Sequence, residues 1–107
     1  VLFGWTGRNG DPDNFLSELL SCERVGGSNR AQWCNDVFEA LIQDARTTFD
    51  TAERAKLYAE AQRIFKEEAP WVTIAHSMAY VPMSAKVTGY VMDPLGGHSF
   101  KGIDLID

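Results

Sequence analysis

The sequence predicts an α/β fold of three helices with flanking strands, on three observations. An apolar run, Val1-Leu2-Phe3, is stopped by Gly4 and reads as a short buried strand over residues 1–5. Two stretches on either side of residues 47–49 repeat apolar residues at helical spacing. The run Trp71-Val72-Thr73-Ile74-Ala75 is aromatic and β-branched, which suits a pleated strand. The order β-α-α-α-β, followed by short β segments, is that of a mixed α and β chain.

After the first strand come Gly4-Trp5-Thr6-Gly7-Arg8-Asn9-Gly10-Asp11-Pro12-Asp13-Asn14-Phe15, where three glycines and several polar residues crowd around one tryptophan. Residues just past a strand end are held still by the sheet, so this loop reads as the ligand-facing edge. Asp11-Pro12-Asp13-Asn14 is turn chemistry, with Asp13 or Asn14 as N-cap of a short helix. Phe15, Leu16, Leu19 and Leu20 would share one face of that helix. A second helix starts near Asn35 or Asp36 and buries Phe38, Leu41, Ile42 and Ala45. Residues 47–49 break it. Asp50, with Glu53 three positions on, is a capping-box-like start for the third helix. Leu57, Ala61, Ile64 and Phe65 lie on its inner face; Glu53, Arg54, Lys56, Glu60, Arg63 and Glu67 stay outside. Pro70 ends it. The strand from Trp71 resumes through Met78-Ala79-Tyr80-Val81. Residues 86–91 form a weaker strand, Asp93-Pro94-Leu95-Gly96-Gly97 a turn, and 100–106 a terminal strand.

The 107 residues suit one domain or part of one. A formal net charge of −5 argues against nucleic acid and anionic membrane, which need a basic footprint. No apolar run approaches the ~20 residues that span a bilayer. The chain has no initiator Met and opens in mid-strand, so it reads as a fragment whose targeting segment lay upstream. A piece cut from its partner lobe exposes sheet edges and apolar patches, so the isolated piece is expected either to associate with another copy or to owe its order to packing.

Cys22 and Cys34 enclose a loop containing Gly26, Gly27, Ser28 and Asn29. The spacing is not that of a redox Cys-x-x-Cys, and no second Cys pair or His-x-His completes a zinc site. A structural disulfide is the favoured reading, worth up to about 3 kcal/mol in the chain-entropy model; two reduced thiols are the alternative. Asp11 and Asp13 would serve as an acid/base pair only if burial raised one pKa, and turn and cap roles account for both. They lack the rest of a calcium loop. His76 lies in an apolar strand beside Ser77, whose side chain would face the other way; His98 follows two glycines. No cofactor motif, P-loop or nucleophile elbow is present. Trp5 suits either a pocket wall or core packing. A hydrolase using Asp11, Asp13 or His76 and a free-standing disulfide-stapled interaction domain are the alternatives from other classes.

The loop from Gly4 to Phe15 resembles the C-terminal region of the bacterial dipeptide-binding proteins, extracytoplasmic solute-binding subunits of ABC importers (family 5). The resemblance continues through Leu20-Ser21-Cys22, Trp33-Cys34, Phe38-Glu39, Leu57-Tyr58, Ala69-Pro70, Ile74-Ala75-His76-Ser77 and Asp93-Pro94-Leu95-Gly96. It implies a partial lobe of a periplasmic-binding-protein-like type II fold. Residues 1–78 would belong to the C-terminal ligand-binding lobe; 79–107 would hold the hinge crossing and a terminal segment of the N-terminal lobe. It also implies a Cys22–Cys34 disulfide, a pocket role for Trp5, a periplasmic or extracytoplasmic location, and no catalysis, cofactor or metal. The implied partners are a peptide or peptide-like solute, the importer's membrane permease and the N-terminal remainder of the protein. Trp5, Thr6, Gly7, Arg8 and Asp11 are the implied ligand-binding residues.

One position departs from the family pattern. The family's Trp-Thr-Gly-Asp aspartate pairs with the peptide's free α-amino group, and Arg8 stands there instead. A cation repels an ammonium and attracts carboxylate or phosphate. The expected ligand is then an N-blocked or anionic compound, or Asp11 takes over the amine.

Overall fold

The computed structural model describes residues 2–107. Its centre is helical. Helix α1 (Asp13–Leu20) leads into a 3₁₀ turn (Cys22–Arg24), followed by α2 (Asp36–Thr47) and α3 (Thr51–Glu68). The caps follow the side chains. Asn35 Oδ1 accepts the Phe38 N–H at 2.9 Å, and Asp50 Oδ1 accepts the Glu53 N–H at 2.8 Å, each relieving one of the unpaired donors at a helix start. Glu53 does not complete a capping box, because its carboxylate pairs with Lys56. At the other end of α3, Ala69 adopts φ 44° and ψ 54°, a left-handed residue ahead of Pro70.

The start of α1 differs from the expectation. Asp13 and Asn14 lie inside the helix, and Pro12 occupies the cap position. Asp11 Oδ1 accepts the Asp13 N–H at 2.9 Å, so an aspartate two residues earlier meets the need.

Helices α2 and α3 form an antiparallel hairpin through residues 48–50, and α1 packs on α2. Leu19, Leu20, Phe38, Ile42, Ala45, Tyr58, Ala61 and Ile64 are buried. Trp33 meets Phe38 edge-on, ring centroids 4.9 Å apart. Glu68 ties the ends of the hairpin together by accepting from Trp33 Nε1 at 2.7 Å and Asn35 Nδ2 at 2.6 Å. Two expectations on inner faces need correction. Phe15 is exposed and lies against the preceding loop. Tyr58 is buried where Leu57 is only partly so.

A Cys22–Cys34 disulfide closes the loop between α1 and α2. Asn29, wholly buried, donates to Ser21 O and Trp33 O inside it. Glu39 of α2 accepts from the Ser21 hydroxyl and the Cys22 N–H. Burial alone would raise the Glu39 pKa, but these bonds and one from Gln43 hold it below the usual carboxylate range.

The predicted strands are largely not formed. Val1 lies outside the described residues, and 2–5 have no strand assignment. Residues 71–81 run without a ladder; Val72 is 82% and Ile74 76% exposed. A strand needs a neighbour for its N–H and C=O groups, and among the described residues this segment has none. The C-terminal arm forms one two-residue antiparallel ladder, β1 (Val87–Thr88) with β2 (Asp104–Leu105), in the register Val87–Leu105 and Thr88–Asp104. Gly89, at φ 76°, lets the chain pass against the Gly102 carbonyl, where a Cβ would collide. The radius of gyration, 18.2 Å against about 13 Å for a compact domain of this length, reflects the extended arm. Among the described residues no helix is long and apolar enough to cross a membrane.

Candidate functional site

The loop before α1 is held by its own side chains. Asn14 Oδ1 accepts the Arg8 N–H at 3.0 Å, Asn9 Oδ1 accepts the Asp11 N–H at 3.1 Å, and Gly10 takes φ 71°. Trp5 Nε1 donates to Asn14 O at 2.9 Å. The Trp5 indole is thus fixed at its polar end and 38% exposed, so it is not entombed in a core. Phe3 stacks beside it at 6.3 Å and also approaches Trp71, which packs on Phe65 of α3. The ring of Phe15 lies against Gly7, where an added Cβ would sit 2.5 Å from its Cε2.

Asp11 fastens this loop to the helical hairpin. Its two oxygens accept from Arg54 Nη1 and Nη2, each at 2.8 Å, a planar fork on a planar carboxylate. Arg54 Nε donates to Ala45 O at 2.9 Å, Nη2 donates also to Tyr58 Oη at 2.9 Å, and the guanidinium lies 5.0 Å from the Tyr58 ring centre. The Arg54 hydrogen bonds hold the Asp11 carboxyl below its ordinary range, while burial raises the Tyr58 phenol. Asp13 has its own cation, Arg46 Nε at 3.5 Å. An open groove of about 450 Å³ lies beside this network, lined by Asp11, Pro12, Phe49, Arg54 and Tyr58 among others.

The expected residues fall as follows. Trp5, Thr6, Gly7, Arg8 and Asp11 come together on the one loop. Thr6 and Arg8 are exposed, and among the described residues Arg8 makes no ion pair. His76 is exposed on the extended segment; His98, also exposed, lies 3.1 Å from Tyr90 Oη through Nδ1. A general acid would need a raised carboxyl pKa, and Asp11 is shifted the other way, so the hydrolase alternative lacks support. Cys22, Cys34 and Asp36 lie close together, but a disulfide leaves no thiolate for a metal.

Arg54 and Tyr58 were missed from the sequence, Arg54 being assigned to the solvent face. Their i, i+4 spacing is a signal for contact with each other; the partner, Asp11, lies 43 residues away.

No family model matches the chain. It is 48% identical over 106 residues to the dipeptide-binding protein of Escherichia coli, which covers 98% of this chain and 20% of the relative. It is 47% identical over 104 residues to heme-binding protein A of Haemophilus influenzae, 97% of this chain and 19% of the relative. Among solved structures, the ABC-transporter-associated periplasmic binding protein DppA of Helicobacter pylori, in complex with the peptide STSA, superposes with a TM-score of 0.82. That match is at 34% identity and covers 94% of this chain and 20% of that one. The chain thus spans about a fifth of the length of the relatives it matches, and these relatives are named as binding proteins. Its three helices and short two-stranded sheet are a piece of the periplasmic-binding-protein fold. Over nearly its whole length the chain corresponds to a C-terminal portion of a protein similar to these dipeptide- and heme-binding proteins.

Proposed function

We propose that the protein carrying this chain is the substrate-binding component of an ABC importer in the periplasm or an equivalent extracytoplasmic space. It captures dipeptides or related peptide-like solutes between two lobes and passes them unchanged to a membrane permease. Residues 1–78 belong to the C-terminal lobe, and 79–107 cross the hinge and return to the N-terminal lobe, which the upstream remainder completes. The observation that carries this reading is the 4–15 loop. Asp11 and Arg54 bolt it to the helices, and it offers a half-exposed indole and the exposed cation of Arg8. Such a loop forms one wall of a closing cleft: aromatic surface for a side chain, polar groups for orientation.

Within the loop, Trp5, Thr6, Gly7 and Arg8 face the solute, and Asp11 contributes through the carboxylate capacity left beside Arg54. Arg8 favours an anionic or N-blocked ligand end over a free ammonium. Calorimetric titration of the full-length protein with alanyl-phenylalanine and N-acetyl-alanyl-phenylalanine tests this. The N-acetyl compound is expected to bind at least as tightly, and Arg8→Ala to weaken it. Tight binding of the free-amine dipeptide that Arg8→Ala leaves unchanged would remove Arg8 from the site; no binding by either compound would overturn the peptide reading.

A further inference from the structure

The turn at residues 93–97 is stiff and lies on the candidate ligand loop some eighty residues away. Asp93 builds it: Oδ1 accepts the Leu95 N–H at 2.8 Å, and its carbonyl accepts the Gly96 N–H at 3.0 Å. Pro94 fixes one φ, and Gly96 adopts φ 80°. The turn meets the loop at two points. A Cβ on Gly10 would lie 3.7 Å from Leu95 Cδ2, and a Cβ on Gly96 would lie 3.4 Å from Thr6 Cγ2. Thr6 and Gly10 stand on either side of Arg8, so the turn supports both flanks of the stretch that carries this cation. Asn9 and Asn14 hold that stretch only through its backbone.

We propose that Leu95 and Gly96 are positioning residues for ligand binding: they brace Thr6 and Gly10 and thereby set where Trp5 and Arg8 meet the solute. The inference rests on the two-lobe reading above. In it the loop belongs to one lobe and the turn to the segment returning to the other, so the brace joins the two sides of the cleft. Among variants of one binding site affinity differences fall mostly on dissociation, so losing the brace should speed release more than it slows association.

Two experiments on the full-length protein test it. In the first, Thr6→Cys is combined with Gly96→Cys, and peptide mapping without reductant looks for a 6–96 cross-link beside Cys22–Cys34. A Cβ on Gly96 would lie 3.4 Å from Thr6 Cγ2, so the cross-link is expected to form under mild oxidation; its failure to form in a variant that keeps the parent's urea midpoint would overturn the brace, and if the left-handed backbone at Gly96 does not tolerate cysteine the Leu95 variants decide it. In the second, stopped-flow tryptophan fluorescence follows alanyl-phenylalanine and its N-acetyl form. Leu95→Ala is expected to release the bound compound roughly tenfold faster with association within about twofold of the parent. Leu95→Met, of similar volume, should restore slow release, and the urea midpoint should be the same for all three proteins. Unchanged release in Leu95→Ala, or faster release accompanied by an equal loss of stability, would overturn the positioning role. If neither compound bound the parent, the peptide reading would fall, while the cross-link would still decide the brace.

Discussion

Phe38 and Phe49 stand eleven positions apart, and truncating each to alanine removes the same atoms from opposite environments. Phe38 is 0% exposed, edge-on to Trp33 and within the cluster of Leu19, Leu20, Ile42, Ala61 and Ile64. Phe49 is 100% exposed between α2 and α3. A buried phenylalanine removes roughly 150–250 Å² from water, worth about 4–6 kcal/mol at 25 cal/mol per Å². Part of that area is already shielded in the denatured chain, which brings the expected cost of Phe38→Ala to about 3–5 kcal/mol. Phe49→Ala has no contact to lose and should fall within about 0.5 kcal/mol of the parent. Hydrogen exchange of α2 and α3 amides, with the disulfide intact, reads both differences as local opening free energies. Trp33 emission supplies a second probe, since its ring centre lies 4.9 Å from that of Phe38. Equal losses in the two variants, or a loss above about 1 kcal/mol at Phe49, would refute the assignment of the core.

Replacing Cys22 and Cys34 together with serine opens a loop of sequence separation 12 and should cost about 3 kcal/mol, read as a lower urea midpoint; an unchanged midpoint would mean that Asn29 and Glu39 hold the loop unaided. Acid stability depends on Asp11 and Glu39, both with carboxyl pKa values below the ordinary range. A depressed folded pKa stabilises fully above the unfolded value, about 4 for these groups, and that contribution is lost as pH falls through the folded value. Unfolding free energy should therefore decline below about pH 4, and Arg54→Gln should flatten the part due to Asp11; an acid limb identical in that variant would contradict the pairing.

What was legible in the sequence was mostly local. Asn35 and Asp50 announce α2 and α3 because a cap acts within three residues, and Phe38, Ile42 and Ala45 mark an inner face by spacing alone. The loop at Trp5 stands out in the sequence as a candidate for ligand contact because its composition is unusual and its family resemblance close. The Asp11–Arg54 fork was not, since a charged residue on an amphipathic helix ordinarily faces water and nothing near position 54 announces a carboxylate 43 residues earlier. Asp13 and Asn14 were good cap residues in the wrong place: Pro12 and Asp11 together already satisfy the helix start, which frees Asn14 to hold Arg8.

The strands fail for a different reason. A helix closes its hydrogen bonds within one segment, so the residues of α3 suffice to specify α3. A strand closes its hydrogen bonds on another segment, so pattern alone specifies only a willingness to pair. Residues 72, 74, 78 and 80 carry apolar side chains two or four apart, as one face of a strand would. All four are more than 70% exposed. Among the described residues a ladder appears where a second segment lies close enough, Val87–Thr88 against Asp104–Leu105. The apolar alternation over 71–81 thus describes a neighbour rather than a conformation, and the chain spans about a fifth of the length of relatives in which such neighbours could lie.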